Sequence, residues 1–151
     1  MTVIEKLNLK GQLEIIVMNA PESIELELTH VADTIIHRDF KGVSQISFSL
    51  AFVTKQSELN AIAKKIVAKA KGDAILWFAF PKGTSKNYRC DFNRDSGWRV
   101  LGEAGFEGVR LVAIDEDWSA LRFRRVNFIK SMSRDPKRAL SSAGKKKTRF
   151  N

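Results

Sequence analysis

The stretch TKQSELNAIAKKIVAKAKGDAILWFAFP, residues 54–81, decides the fold of this chain. In its first half, apolar residues recur at the spacing of one helix face and lysines occupy the other face, which predicts an amphipathic helix ending at Gly72. Its second half, Ala74–Phe80, is apolar without interruption, as expected of a strand covered on both sides. The stretch therefore predicts a helix followed directly by a buried strand. The apolar helix positions are Leu59, Ile62, Ala63, Ile66, Val67 and Ala70.

Another apolar run, Ile46–Val53, precedes this helix and completes a βαβ unit. The strands of such a unit are parallel, and the crossover between them is right-handed. Two further apolar runs, Leu13–Met18 and Thr34–His37, predict strands nearer the N terminus. The segment between them alternates as a strand would over residues 24–28, but its start at Asn19-Ala20-Pro21 and its early acids favour a helix.

The C-terminal half predicts a long polar loop after Pro81, a helix capped by Asp95 or Ser96 and ended by Gly105, and two strands, Val109–Ile114 and Ser119–Val126. The turn between these strands is too short for a crossover, so they form an antiparallel hairpin. Four parallel strands followed by an antiparallel pair resemble the class I methyltransferase fold with one βα unit removed. The predicted fold is thus α/β, a three-layer Rossmann-like sheet of about six strands in the order 2-1-3-4-6-5, with helices on both faces.

Charge divides the chain into two parts. The 151 residues carry a net charge of +9, yet residues 127–151 contain eight basic residues against one acidic residue, so residues 1–126 are nearly neutral. We predict a single α/β domain over residues 1–126 and a basic, flexible tail over 127–151. Four tail residues could contact the phosphates of RNA or DNA. A terminus that only keeps the protein soluble is an equally good interpretation of this composition. They are Lys145, Lys146, Lys147 and Arg149.

Composition also predicts where the protein works. The single cysteine, Cys90, excludes an internal disulfide and fits a reducing compartment. No apolar run approaches the about 18 residues of a membrane span, and the first residues lack a signal-peptide pattern. We therefore expect a cytoplasmic protein with no membrane partner, present as a monomer or as a homodimer paired through the edge of strand 5.

Topology places the candidate ligand site. In the predicted order the chain reverses direction between strands 1 and 3, and ligands of such sheets bind in the crevice at the carboxyl ends of those strands. The flanking turns are therefore the predicted site, together with the turn after strand 4. The predicted ligand-binding residues are Asn19, Ala20, Pro21, Thr54, Lys55 and Lys82.

The sequence contains only weak motifs for catalysis and for binding a cofactor or a metal ion. Enzymes of this fold that use S-adenosylmethionine usually have a glycine-rich turn after strand 1, but this chain has Asn-Ala-Pro there, and Asp39 is not clearly placed to hold a ribose. His30 and His37 form no metal pattern. Basic neighbours of Cys90 could lower the pKa of its thiol, but an incidental thiol is the favoured interpretation. The acids of residues 115–117 are interpreted as solvated turn formers. We predict no catalytic residue, metal or cofactor.

Three segments carry a resemblance to a known family: Phe80–Lys82, Asp91–Trp98 and Val112–Phe123. They are similar to a family of uncharacterised bacterial proteins, the domain of unknown function 3052. The Asp-Trp-Ser turn at residues 117–119 is the most specific part of this similarity. The resemblance implies a bacterial source and a compact α/β domain, and it brings no reaction, cofactor or partner.

Three functions fit these observations. The main hypothesis is a non-catalytic Rossmann-like module that binds a small ligand or a protein partner at the crevice between strands 1 and 3. The first alternative is a nucleic-acid-associated protein that uses the basic tail. The second alternative is a divergent S-adenosylmethionine-dependent methyltransferase.

Overall fold

Six strands form one mixed sheet in the computed structural model, which describes residues 3–9, 11–12, 14–31, 33–93 and 95–129. The strand order is 2-1-3-4-6-5; the first four strands are parallel, and the last two pair antiparallel as a hairpin. The predicted fold class is confirmed in both order and direction. The strands are β1 (Glu14–Met18), β2 (Ile35–His37), β3 (Ile46–Phe52), β4 (Ala70–Pro81), β5 (Phe106–Ala113) and β6 (Trp118–Arg125).

Helices cover both faces of this sheet. They are α1 (Val3–Lys6), α2 (Glu22–Leu28), α3 (Gln56–Lys69) and α4 (Arg99–Glu103), and a 3-10 turn follows at Val126–Phe128. Buried residues of α1 and α2 belong to one hydrophobic cluster, and those of α3 and α4 belong to the other. The sequence did not predict α1. No helix in the described part of the chain is long and apolar enough to cross a membrane.

The uninterrupted apolar run in β4 follows from this two-sided burial. Leu76, Phe78 and Phe80 pack in the cluster under α3, whereas Trp77 and Ala79 pack in the cluster under α2. Successive side chains of a strand point to opposite faces, so a strand covered on both sides needs apolar residues at every position.

The start of β4 differs from the prediction. The helix ends at Lys69 rather than at Gly72, because Ala70 already has extended backbone angles and pairs with Ile46 of β3. Gly72 lies inside the strand with a φ of 56°, and Arg125 of β6 donates hydrogen bonds to the carbonyls of Ala70 and Gly72 at 2.8 and 3.2 Å. These long-range hydrogen bonds hold residues 70–72 as strand.

The pair formed by Asp73 and Arg124 joins the same two strands, with Nε–Oδ1 and Nη2–Oδ2 distances of 2.8 and 2.7 Å. The hydrogen bond from Arg124 holds the pKa of the Asp73 carboxyl below its ordinary value. A carboxyl with a lowered pKa stabilises the fold above its unfolded-state pKa, and that contribution disappears as the pH falls through the lowered value.

We expect Asp73→Asn to reduce the free energy of unfolding by about 0.5–1 kcal/mol at neutral pH, since the pair is partly exposed. Urea unfolding at several pH values between about 7 and about 2 measures this difference, which should shrink once the pH falls below the ordinary pKa of an aspartate. The control is Glu103→Gln, which breaks the more exposed pair of Glu103 with Arg99 and should have a smaller effect at neutral pH. A pH-independent loss in Asp73→Asn would contradict the electrostatic explanation.

Candidate functional site

The carboxyl ends of β1 and β3 lie side by side at the point where the chain reverses direction across the sheet. The parallel pairs Val17–Leu50 and Met18–Ala51 bring the two strand ends together. The segment after β1 leads into α2 on one face, and the segment after β3 leads into α3 on the other. In sheets of this topology, ligands bind at this point.

Asn19 makes the turn that leaves β1. Its φ of 58° lies in the left-handed region, which glycine adopts without strain and asparagine tolerates better than most residues. Its side-chain Nδ2 donates to the carbonyl of Phe52 at 3.4 Å, which links the ends of β1 and β3. Ala20 follows, and Pro21 occupies the N-cap of α2. The turn thus has the sharp backbone that a glycine would give, although it lacks glycine.

The turn after β3 is held by two carboxylates. Glu58 Oε1 accepts the N–H of Thr54 at 2.9 Å, and Asp91 Oδ1 accepts the N–H of Gln56 at 2.6 Å. The N-terminal N–H groups of a helix need such acceptors, so the start of α3 is already occupied by the protein's own anions. Lys55 occupies the N-cap, and its side chain is exposed.

The loop over residues 82–98 folds back onto α3. The N–H of Asp91 donates to the carbonyl of Thr54 at 3.3 Å, and Gln56 Nε2 donates to the carbonyl of Gly97 at 2.7 Å. Phe92 and Trp98 are buried against each other with their rings 5.3 Å apart. Hydrogen bonds and packing therefore hold the C-terminal end of this loop against the rest of the fold, as well as its start.

Asp117 fixes the near end of this loop. Its carboxylate accepts hydrogen bonds from the Ser85 hydroxyl at 2.7 Å and from Asn87 Nδ2 at 3.2 Å, and its carbonyl accepts the N–H of Lys82 at 2.8 Å. The role of turn former belongs to Asp115, whose Oδ1 accepts the N–H groups of Asp117 and Trp118. The sequence analysis missed the role of Asp117; three acids in one short turn are more than the turn itself requires.

A cleft of about 790 Å³ lies beneath this loop, beside the ends of β4 and β6. Of the predicted ligand-binding residues, Lys82 lines this cleft, whereas Asn19, Ala20, Pro21, Thr54 and Lys55 do not. The six predicted residues therefore do not all line this cleft; Asn19, Ala20 and Pro21 follow β1, and Thr54 and Lys55 follow β3. Lys145, Lys146, Lys147 and Arg149 of the tail lie outside the described residues, as does the tail beyond residue 129.

Cys90 lines the cleft but is not an activated thiol. Burial raises its pKa, and the charge of Asp91 adds to that rise, while a hydrogen bond involving the Phe92 backbone opposes it. A thiol with a raised pKa is a poor nucleophile at neutral pH, so the less favoured alternative, a lowered pKa at Cys90, is wrong. Across the part of the chain that the structure describes, no three His, Cys, Asp or Glu residues are grouped to hold a metal ion.

Methyltransferases are among the solved structures that are similar to this chain. One, from Aquifex aeolicus, has a TM-score of 0.55 over 82% of this chain and 87% of that chain, with 11% sequence identity. The ribosomal protein L11 methylase of Lactobacillus delbrueckii subsp. bulgaricus has a TM-score of 0.52 over 82% and 74%, also with 11% identity. This chain has the Rossmann-like methyltransferase fold.

A third similar structure is magnesium protoporphyrin IX methyltransferase from Synechocystis with bound S-adenosylmethionine, with a TM-score of 0.50 over 82% of this chain and 74% of that chain, and 13% identity. Identities this low show a common fold and leave the reaction open. No protein-family model matches the sequence, and no curated protein matches it either. The resemblance to the domain of unknown function 3052 therefore stays a prediction.

Proposed function

We propose that this chain binds S-adenosylmethionine at the crevice between β1 and β3 and is a divergent methyltransferase. The observation that carries the proposal is the left-handed turn at Asn19, placed directly after β1 in a sheet of methyltransferase topology. The fold comparison supports this second alternative of the sequence analysis better than it supports a non-catalytic module.

The residues around the crevice fit such a molecule. Asp39 follows β2, the strand that lies next to β1 in the sheet. One of its carboxylate oxygens accepts the N–H of Lys41 at 3.0 Å, and the other accepts no hydrogen bond from the described part of the chain. That oxygen can accept from ribose hydroxyls. Lys55 is exposed, forms no ion pair within the described residues, and can pair with the carboxylate of the amino-acid moiety.

The weakness of catalytic motifs in this sequence is compatible with methyl transfer. When bound, S-adenosylmethionine supplies an electrophilic methyl group on a positively charged sulfur, which is a good leaving group. The main task left to the protein is to hold donor and acceptor in line, since alignment alone lowers a barrier substantially. In this chain, Asn19 would shape the turn beside the ligand, and Asp39 and Lys55 would orient it.

The first experiment is thermal unfolding of the full chain with S-adenosylmethionine, S-adenosylhomocysteine, ATP or NAD in excess. At 100 times its Kd a ligand adds about 2.7 kcal/mol, which should raise the Tm by about 5 °C or more in a chain of this size. We expect this rise with the two S-adenosyl compounds alone. No rise with either compound, or equal rises with ATP and NAD, would overturn the proposal.

Variants locate the binding. Asp39→Asn keeps the oxygen that accepts the Lys41 N–H but removes the charge, and we expect S-adenosylmethionine to bind about tenfold more weakly by calorimetry. Asp33→Asn is the matched control, because Asp33 is exposed and lies before β2, at the opposite end of the strand. Equal affinities for both variants would place the ligand elsewhere.

If S-adenosylmethionine binds as expected, transfer of its labelled methyl group into a heat-treated cell extract would identify the acceptor.

A further inference from the structure

We propose that the cleft beneath the loop of residues 82–93 binds a small organic anion, a carboxylate or phosphate carried on a flat apolar body. This site is separate from the crevice between β1 and β3, and the inference does not depend on the proposed function. Its volume of about 790 Å³ lies within the range of cavities that hold metabolite-sized ligands.

The charge of the lining selects an anion. Lys82 and Arg89 both line the cleft, and no aspartate or glutamate is among its lining residues. Neither cation forms an ion pair with a carboxylate in the described part of the chain. Two cations that share a cleft without a counterion attract a carboxylate or a phosphate, and arginine can bind either group with two parallel hydrogen bonds.

Further hydrogen-bond donors line the cleft. Thr84 and Gly83 line the cleft within the turn closed by the hydrogen bond from the Ser85 N–H to the Lys82 carbonyl at 3.0 Å. The N–H groups of Gly83 and Thr84, and the Thr84 hydroxyl, donate to no acceptor within the described ranges. They are available to the oxygens of an anionic group.

Other residues of the lining select an apolar body. Phe80 and Phe92 are buried, with 5% and 7% exposure, and their rings are tilted by 44° with centroids 6.0 Å apart. Leu111 of β5 also lines the cleft and is 42% exposed. Tyr88 adds a ring that lies 4.8 Å from the ring of Trp118. An exposed leucine in a cleft that aromatic rings also line is a surface that a planar apolar group would cover.

The cleft is also preorganised. Ser85 donates to Asp117 and accepts the N–H groups of Asn87 and Tyr88, so its hydrogen bonds fix the middle of the loop before any ligand arrives. At the far end, Asp91 is bonded to α3 through the N–H of Gln56. A wall that is already ordered does not have to lose entropy when the ligand binds.

The test is NMR titration of the labelled full chain with phenyl phosphate, benzoate, inorganic phosphate and neutral benzyl alcohol. We expect saturable binding of at least one aromatic anion with shifts confined to residues 80–93 and 111–119. Inorganic phosphate and benzyl alcohol should each bind at least about tenfold more weakly, because each lacks one half of the ligand. The comparison of phenyl phosphate with benzoate tells which anion the site prefers.

Arg89→Gln and Lys82→Gln should each weaken binding of the preferred aromatic anion by about tenfold or more. Lys86→Gln is the matched control, because Lys86 belongs to the same loop but does not line the cleft, and it should leave affinity unchanged. Unchanged Tm values would show that the variants are folded. No saturable binding of either aromatic anion, equal binding of benzyl alcohol, or an equal loss in Lys86→Gln would overturn the inference.

Discussion

Trp77→Ala is expected to lower the free energy of unfolding by about 3–5 kcal/mol, a large share of the stability of a domain this size. Trp77 is fully buried in the centre of β4, within the cluster under α1 and α2. Its indole N–H donates to the carbonyl of Leu7 at 2.7 Å, which joins the turn after α1 to the middle of the sheet. Truncation would leave a cavity and an unpaired buried carbonyl together.

Trp77→Phe separates these two contributions, because phenylalanine keeps most of the ring volume but cannot donate to Leu7. We expect a smaller loss of about 1–3 kcal/mol, measured by urea unfolding alongside the alanine variant. Leu26→Ala is the control for a change at an exposed apolar side chain, since Leu26 is 61% exposed, and it should stay within about 0.5 kcal/mol of the unmodified chain. A loss in Trp77→Ala below about 1 kcal/mol would contradict the packing described for β4.

The interior of the sheet could be predicted because its pattern is local. A run such as Ala74–Phe80, apolar at every position, has few solutions other than a strand between two helical layers, and the structure places it there. The helix before it could be predicted equally well from its 3.6-residue period. The end of that helix could not be predicted, because residues 70–72 are held as strand by Arg125, which lies far away in the sequence.

The candidate site was harder to predict, because it also depends on contacts between residues that lie far apart in the sequence. Topology alone placed a crevice beside Asn19, but the left-handed turn there is a backbone property that asparagine only permits. The cleft under the loop depends on Asp117 bonding to Ser85 and Asn87, about thirty residues earlier in the chain. A carboxylate in a turn has the same sequence signal whether it faces water or fixes a neighbouring loop.

Gly97→Ala is expected to lower the free energy of unfolding by about 2–4 kcal/mol, because two costs combine at this residue. Its backbone φ of 93° is a value that residues with a side chain rarely adopt. An added Cβ would also lie 2.6 Å from Gln56 Oε1 and 2.7 Å from Phe92 Cβ. Gln56 can move only by giving up its hydrogen bond to the Gly97 carbonyl, and Phe92 is held between Phe80 and Trp98. The substitution would therefore strain the contact that joins the loop to α3.

Two other glycines make the measurement specific. Gly105 has a φ of 87° but open space around its Cβ position, so Gly105→Ala reports the backbone cost alone, about 1–2 kcal/mol. Gly83 has open space and no left-handed φ, so Gly83→Ala should stay within about 0.5 kcal/mol of the unmodified chain. Urea unfolding of the three variants thus isolates the steric part at Gly97. If Gly97→Ala costs no more than Gly105→Ala, the loop yields at this turn, and the cleft is less preorganised than its hydrogen bonds imply.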